Sequence, residues 1–207
     1  MISASDALDE LRDGNRRFAA GEIDAETIAS RVHRVGMSGG QNPFAIDLAC
    51  SDSRVPVELV FDQGLGDLFV IRVAGNIVAP SQIGSVEFAA NQFGTRLVVV
   101  LGHSDCGAIA ATLEELSLEQ THRSPNLRAI VDRVRPAIEP VLQSHAQGDE
   151  AALTAAAVRA NILASVDKLS HDSLILEQLI ESGELTIVGA EYSIETGKVE
   201  FFDQDSL

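Results

Sequence analysis

Arg96-Leu97-Val98-Val99-Val100-Leu101-Gly102-His103-Ser104-Asp105-Cys106-Gly107 changes character part-way along. Leu97 to Leu101 is an unbroken apolar run, the pattern of a strand covered on both faces. Metal-capable side chains follow at its end, and Cys106 to Leu116 then has helical character. A fully buried strand feeding a helix is a unit of parallel sheets. Upstream, Phe44 to Ala49 reads as a short apolar strand ending at Cys50, and Asp67 to Val73 as a second strand. Ile83 to Phe93 reads as a helix stopped by Gly94.

Downstream, helical patterns run over Asn126–Ala146 and Glu150–Leu169, the first expected to kink or divide at Pro136 and Pro140. Asp172 to Ser182 reads as a further helix stopped by Gly183. Leu185–Tyr192 and Lys198–Phe202 then form two strands turned at Glu195-Thr196-Gly197, a hairpin. At the other end, Ala4, Leu8, Leu11, Asn15 and Phe18 recur at helical spacing, with Ser3 or Ser5 as cap and Gly21 beyond. The apolar stripe of this helix has no local cover, so it packs on its own domain or embraces a second subunit. A weaker helical stretch spans Ala25 to Val35, and Gly36, Gly39, Gly40 and Pro43 mark a loop. The expected fold is α/β: a mainly parallel sheet of about four strands plus an antiparallel edge strand, flanked by helices. Residues 1–207 read as a single domain, 1–40 being an N-terminal helical arm and 41–207 the core.

With 45% hydrophobic residues, 4% aromatic and no Trp, the core must be aliphatic. The net charge of −16 gives a solvated acidic surface that repels phosphates and excludes a nucleic-acid partner. The apolar runs are too short for a membrane span, and no basic, apolar leader precedes Asp6. The expected location is the cytoplasm, whose reducing conditions disfavour a Cys50–Cys106 disulfide.

Both cysteines lie in metal-capable segments, Ala49-Cys50-Ser51-Asp52-Ser53-Arg54-Val55 and Gly102-His103-Ser104-Asp105-Cys106-Gly107. Cys50 and His103 each follow a strand, where ligands gather in open α/β sheets. Cys106 opens a helix, whose positive end favours a thiolate. Two thiolates and an imidazole suffice for one zinc with a fourth position open, the arrangement of a catalytic rather than a structural site. Asp52 has two competing roles: it closes the site as a fourth ligand, or pairs with Arg54 and leaves that position to water. A flavodoxin-like nucleotide binder is excluded, since Cys50-Ser51-Asp52 stands where a glycine-rich phosphate loop is needed.

Three segments in order, Cys50-Ser-Asp-Ser-Arg-Val55, Asp67-Leu-Phe-Val-Ile-Arg-Val-Ala-Gly-Asn76 and Val100-Leu-Gly-His-Ser-Asp-Cys-Gly-Ala108, resemble those of the β-class carbonic anhydrases. The best match runs from Gln41 to Ala111, with weaker similarity over almost the whole chain. The resemblance implies one Zn2+ per chain, bound by Cys50, His103 and Cys106, with Asp52 either a fourth ligand or in a catalytic dyad with Arg54. It implies reversible hydration of carbon dioxide to bicarbonate and a proton by attack of zinc-bound hydroxide. Gln41, Phe69, Ala74, Phe88 and the Gly107 backbone match substrate-contacting positions; many relatives carry Tyr where Phe88 stands. A homodimer or homotetramer is also implied, with the pocket at a subunit interface in many members. Some relatives bind inhibitory bicarbonate through a Trp three residues before the first cysteine. Asp47 occupies that position beside the matching Arg72 and Tyr192, so this chain is expected to lack that inhibition. The rival readings are a carbon disulfide hydrolase on the same zinc core and a non-catalytic zinc-containing bicarbonate sensor. Retention of Asp52, Arg54 and Gln41 argues against the sensor. His33, His122, His145 and His171 read as surface residues rather than a proton shuttle.

Overall fold

A computed structural model describes residues 2–23, 39–117, 124–144 and 149–202. The weak helical stretch expected from Ala25 to Val35 lies outside them, as do His33, His122 and His145. Five strands form one sheet in the order β2-β1-β3-β4-β5: β1 (Ala45–Ala49), β2 (Leu68–Arg72), β3 (Leu97–His103), β4 (Thr186–Tyr192) and β5 (Val199–Phe201). The first four run parallel; β5 is antiparallel to β4 and forms one edge. The helices are α1 (Ala4–Ala19), α2 (Val57–Val60), α3 (Pro80–Phe93), α4 (Gly107–Ser117), α5 (Pro125–Ser144), α6 (Glu150–His171) and α7 (Leu174–Glu181). None is long and apolar enough to cross a membrane.

β3 is the centre of the sheet because all seven of its residues are buried. Its alternate side chains feed two cores, and from Leu97 to Leu101 they are all aliphatic. On one face Val98 and Val100 join Ile46, Leu48 and Ile187 beneath α3, α5, α6 and α7. On the other, Leu97, Val99 and Leu101 join Ala45, Ala49, Val188 and Tyr192 beneath α1 and α2.

The amphipathic stripe of α1 is covered by its own domain, since Ala7 and Leu11 are wholly buried in that second core. Ser3 caps the helix by accepting the Asp6 N–H. Asn15 then ties it down: its amide donates to the carbonyls of Val60 and Gly197 at 3.1 and 2.9 Å, and its oxygen accepts the Val199 N–H at 2.8 Å. One polar side chain thereby joins α1, the end of α2 and the terminal hairpin.

Of the two outcomes expected, a kink or a division, division does not occur: α5 runs through Pro136 and Pro140 as one helix. Pro136 and Pro140 both lie on the exposed face, so the carbonyls their missing N–H groups release are open to solvent rather than forced into the core. Val131, Val134 and Ile138 keep the opposite face buried.

Asp47 is the exception within the sheet. It sits in mid-β1 with no exposed surface, and neither carboxylate oxygen has a hydrogen-bond partner. Burial, with a smaller contribution from Glu58, raises its pKa well above the usual carboxylate range. A raised folded-state pKa means full stability below the unfolded value, about 4, and loss as pH climbs through the folded value. Asp47→Asn removes that dependence. In thermal melts from pH 4 to pH 8 its advantage over wild type should be smallest at pH 4 and grow with pH. At pH 8 a gain of about 1–2 kcal/mol, or about 2–8 °C in Tm, is expected. A constant difference across the range would show that Asp47 has the same pKa in the folded and unfolded protein.

Candidate metal centre

Cys50 directly follows β1 and His103 ends β3. Parallel pairing of Ala49 with Leu101 brings these two strand ends side by side, although 53 positions separate the ligands in sequence. A short turn from His103 then delivers Cys106 to the start of α4, with Asp105 in the left-handed region at φ 55°. The three ligand atoms lie within 4.8 Å of one another, and all three residues are buried.

The geometry suits a tetrahedral dication. Zn–S bonds of about 2.3 Å place two sulfurs roughly 3.8 Å apart, and the Cys50 and Cys106 sulfurs are 4.0 Å apart. His103 Nδ1 lies 2.8 Å from the Ser104 carbonyl, which holds the proton on Nδ1 and leaves Nε2 as a lone pair. Nε2 is buried and has no hydrogen-bond partner. Such an orphaned acceptor beside two thiols has the chemistry of a group that could hold a metal ion.

The two thiols are electrostatically linked. Hydrogen bonding from Cys106 is the main influence bringing Cys50 down to about 4; His103 and the backbone N–H groups of Gly75 and Asp52 assist against burial. Cys106 moves the opposite way, because its hydrogen is held by Cys50 and burial penalises a second charge; the Ile109 and Ala108 amides at the start of α4 oppose the rise. Without a cation the pair keeps one proton. Burial acts against charging His103, yet its contacts with Cys50 and the Ser104 carbonyl outweigh this and raise its pKa.

Arg54 governs the neighbouring carboxylate. Its Nε and Nη2 donate to the two Asp52 oxygens at 3.0 and 2.8 Å, and its backbone N–H donates to Oδ1 at 2.9 Å. Nη2 also reaches the Asp105 carbonyl at 3.2 Å, linking the two ligand-bearing loops. These hydrogen bonds, above all those from the guanidinium, hold the Asp52 pKa well below the usual carboxylate range. Asp52 Oδ2 stands 3.9 Å from His103 Nε2, beside the cluster. The structure shows Asp52 paired with Arg54.

A family model described as carbonic anhydrase matches residues 45–199. Carbonic anhydrase 2 of Mycobacterium tuberculosis is 36% identical over 192 residues, covering 91% of this chain and 87% of that protein. The chain belongs to the β-class carbonic anhydrases. The solved β-carbonic anhydrase CcaA superposes with a TM-score of 0.75 at 29% identity, over 95% of this chain and 87% of that one. One solved chain described among two tetrameric β-carbonic anhydrases from Sordaria macrospora shares the fold, with a TM-score of 0.70 at 24% identity over 86% of this chain and 90% of that one.

In this carbonic anhydrase the sites expected to touch substrate fall into two groups. Ala74 and Gly107 adjoin the ligands: Ala74 precedes Gly75, whose N–H lies 3.3 Å from the Cys50 sulfur, and Gly107 follows Cys106. Gln41, Phe69 and Phe88 lie elsewhere. Gln41 is exposed before the amino end of β1, whereas Cys50 follows its carboxyl end; five residues of strand span about 16 Å. Phe69 and Phe88 form an aromatic group with Phe93, ring centroids 5.6–6.1 Å apart, and Phe88 is 52% exposed.

Arg72 and the Gly75 amide are part of the site by roles the sequence does not announce. Arg72 donates to the Cys50 and Asp52 carbonyls at 3.1 and 2.6 Å, fixing the loop between them. Its guanidinium is thereby committed, while Asp47 is sealed in the core and Tyr192 is buried. Replacing Arg54 by Ala frees Asp52 to approach the ligand cluster. Arg54→Ala should keep its metal content by elemental analysis and lose about 10–100-fold in carbon dioxide hydration. Unchanged activity would remove Arg54 from the machinery.

Proposed function

We propose that this enzyme hydrates carbon dioxide reversibly to bicarbonate and a proton, with one zinc ion per chain held by Cys50, His103 and Cys106. The observation that carries the zinc assignment is the buried, unpartnered His103 Nε2 facing two coupled thiols. Bound there, zinc supplies the Lewis acidity that brings the ionisation of water near neutral pH.

The chain's own groups do the rest. Arg54 keeps Asp52 ionised and turned toward its guanidinium, so the fourth position stays open. Asp52 accepts a hydrogen from the attacking water and orients it toward the substrate. Ala74 and Gly107 present little bulk beside the ligands, and nothing lies within 4 Å of where a Gly107 Cβ would stand. That leaves room for a small linear molecule. Asp47 in place of Trp, with Arg72 already engaged, supports the absence of inhibitory bicarbonate binding of the Trp-dependent kind. The reducing conditions of a cytoplasm suit the paired thiols.

Gln41, Phe69 and Phe88 contact substrate from a second copy of the chain in a homodimer, or in a tetramer built from two. Support comes from the exposed Phe88 beside Phe69 and Phe93, and from the position of β2 at the edge of the sheet formed by the described residues. The Sordaria macrospora relatives are described as tetrameric. Phe88→Glu places charge in that contact. It should weaken association about 10-fold or more by light scattering and lower hydration activity without loss of bound zinc. An unchanged oligomer would remove Phe88 from the interface.

The decisive experiment is stopped-flow carbon dioxide hydration by protein of known zinc content, scanned from about pH 6.5 to 9 around the expected ionisation near 7. Activity proportional to zinc and rising with pH is expected. Fully zinc-loaded protein inactive across the range would overturn this reading.

A further inference from the structure

A helix remote in sequence from the metal ligands reaches one of them through a single glycine. Gly75 donates its N–H to the Cys50 sulfur at 3.3 Å, while its carbonyl accepts the Asn161 Nδ2 hydrogen at 2.9 Å. One turn further along α6, Ser165 Oγ donates to the Asn76 carbonyl at 3.1 Å. Residues four apart share a helix face, so Asn161 and Ser165 grip consecutive carbonyls of one turn. Both side chains are buried, 3% and 4% exposed.

The gripped turn needs holding. Gly75 and Asn76 both have left-handed backbone, φ 70° and 42°, and such values are uncommon for a residue with a Cβ. Gly75 also has no lateral freedom, since a Cβ there would stand 3.0 Å from the Ala108 Cβ on α4. The same turn of α6 abuts β3 just before His103: Ile162 lies 2.5 Å from where a Gly102 Cβ would be. One helical turn therefore contacts the chain beside two of the three ligands.

We propose that Asn161, assisted by Ser165, is a positioning residue for the metal centre: it fixes Gly75 so that its N–H stays on the Cys50 sulfur and sets how strongly that sulfur holds zinc. This rests on the reading of Cys50, His103 and Cys106 as the ligands. A hydrogen bond to a ligating thiolate withdraws charge from it and fixes its direction, and outer contacts of this kind tune a metal site. Asn161 touches neither metal nor substrate; it acts through the Gly75 backbone.

The test compares wild type with Asn161→Ala, Ser165→Ala and, as a control, Leu169→Val, a change at a wholly buried α6 residue away from the turn. Three quantities are read on the full chain: zinc dissociation constant by competition with a chromophoric chelator, the thiolate-to-cobalt absorption band after cobalt substitution, and Tm without metal. Asn161→Ala should raise the zinc dissociation constant about 10–100-fold and move the cobalt band. Ser165→Ala should change both in the same sense by less, and carries the test alone should Asn161→Ala fail to fold. Leu169→Val should lower Tm and leave the other two readings unchanged. Wild-type zinc affinity and an unmoved band in the folded brace variants would overturn the proposal while leaving the ligand set standing. A wild-type cobalt derivative without a thiolate band would overturn the ligand assignment, and the brace with it.

Discussion

Two buried sulfurs 4.0 Å apart repel each other once both are ionised, and a cation between them relieves that repulsion most directly. Most of the surrounding architecture answers this constraint. Parallel strands β1 and β3 bring Cys50 and His103 together at their carboxyl ends, and α4 starts at Cys106 where its free amides tolerate negative charge. The Gly75 amide serves Cys50 in the same way. Arg54 engages the next nearest anion, Asp52, so the cluster is not burdened with a third unpaired charge.

The sheet and the clustering of Cys50, His103 and Cys106 were legible because each leaves a mark on the chain. Leu97 to Leu101 cannot face water on either side, and Cys50, His103 and Cys106 are rare residue types at strand and helix ends. Backbone contacts leave no such mark. That a Gly75 N–H meets a sulfur, or that Arg72 serves two carbonyls rather than an anion, depends on turn geometry that no spacing encodes. The short helix α2 is similarly silent. Pro136 and Pro140 left a kink and a division both open: a proline removes one hydrogen bond and crowds the preceding turn, and whether the helix carries on past it depends on the tertiary packing of its buried face. Gln41 and Phe88 match a family pattern by position, yet sequence holds no statement of which copy of the chain a residue serves.

Unfavourable local choices concentrate near the chemistry. Among the described residues, the non-glycine positions with positive φ are Asp62, Asn76 and Asp105. Asn76 adjoins the turn that touches Cys50, and Asp105 lies between His103 and Cys106. Strain of this kind persists where surrounding structure over-determines it, here through Ser165 on one side and Arg54 on the other. Asp47 is a different matter: an unpartnered carboxyl inside β1, away from any ligand, and a source of pH sensitivity rather than of activity.

The Asn15 hydrogen bonds have a bearing on biosynthesis. They join α1 to Gly197, 182 positions away, and β4, which completes the parallel part of the sheet, begins only at Thr186. Ribosomes add about 5–20 residues per second, so α1 emerges roughly ten seconds or more before its anchoring hairpin exists. Cys50, His103 and Cys106, by contrast, have all been made by residue 106. The nascent chain therefore carries its thiols into the cell before the layer that seals β3 has been translated. During that interval the exposed apolar strand and the unprotected thiols are the chain's points of vulnerability to aggregation and oxidation.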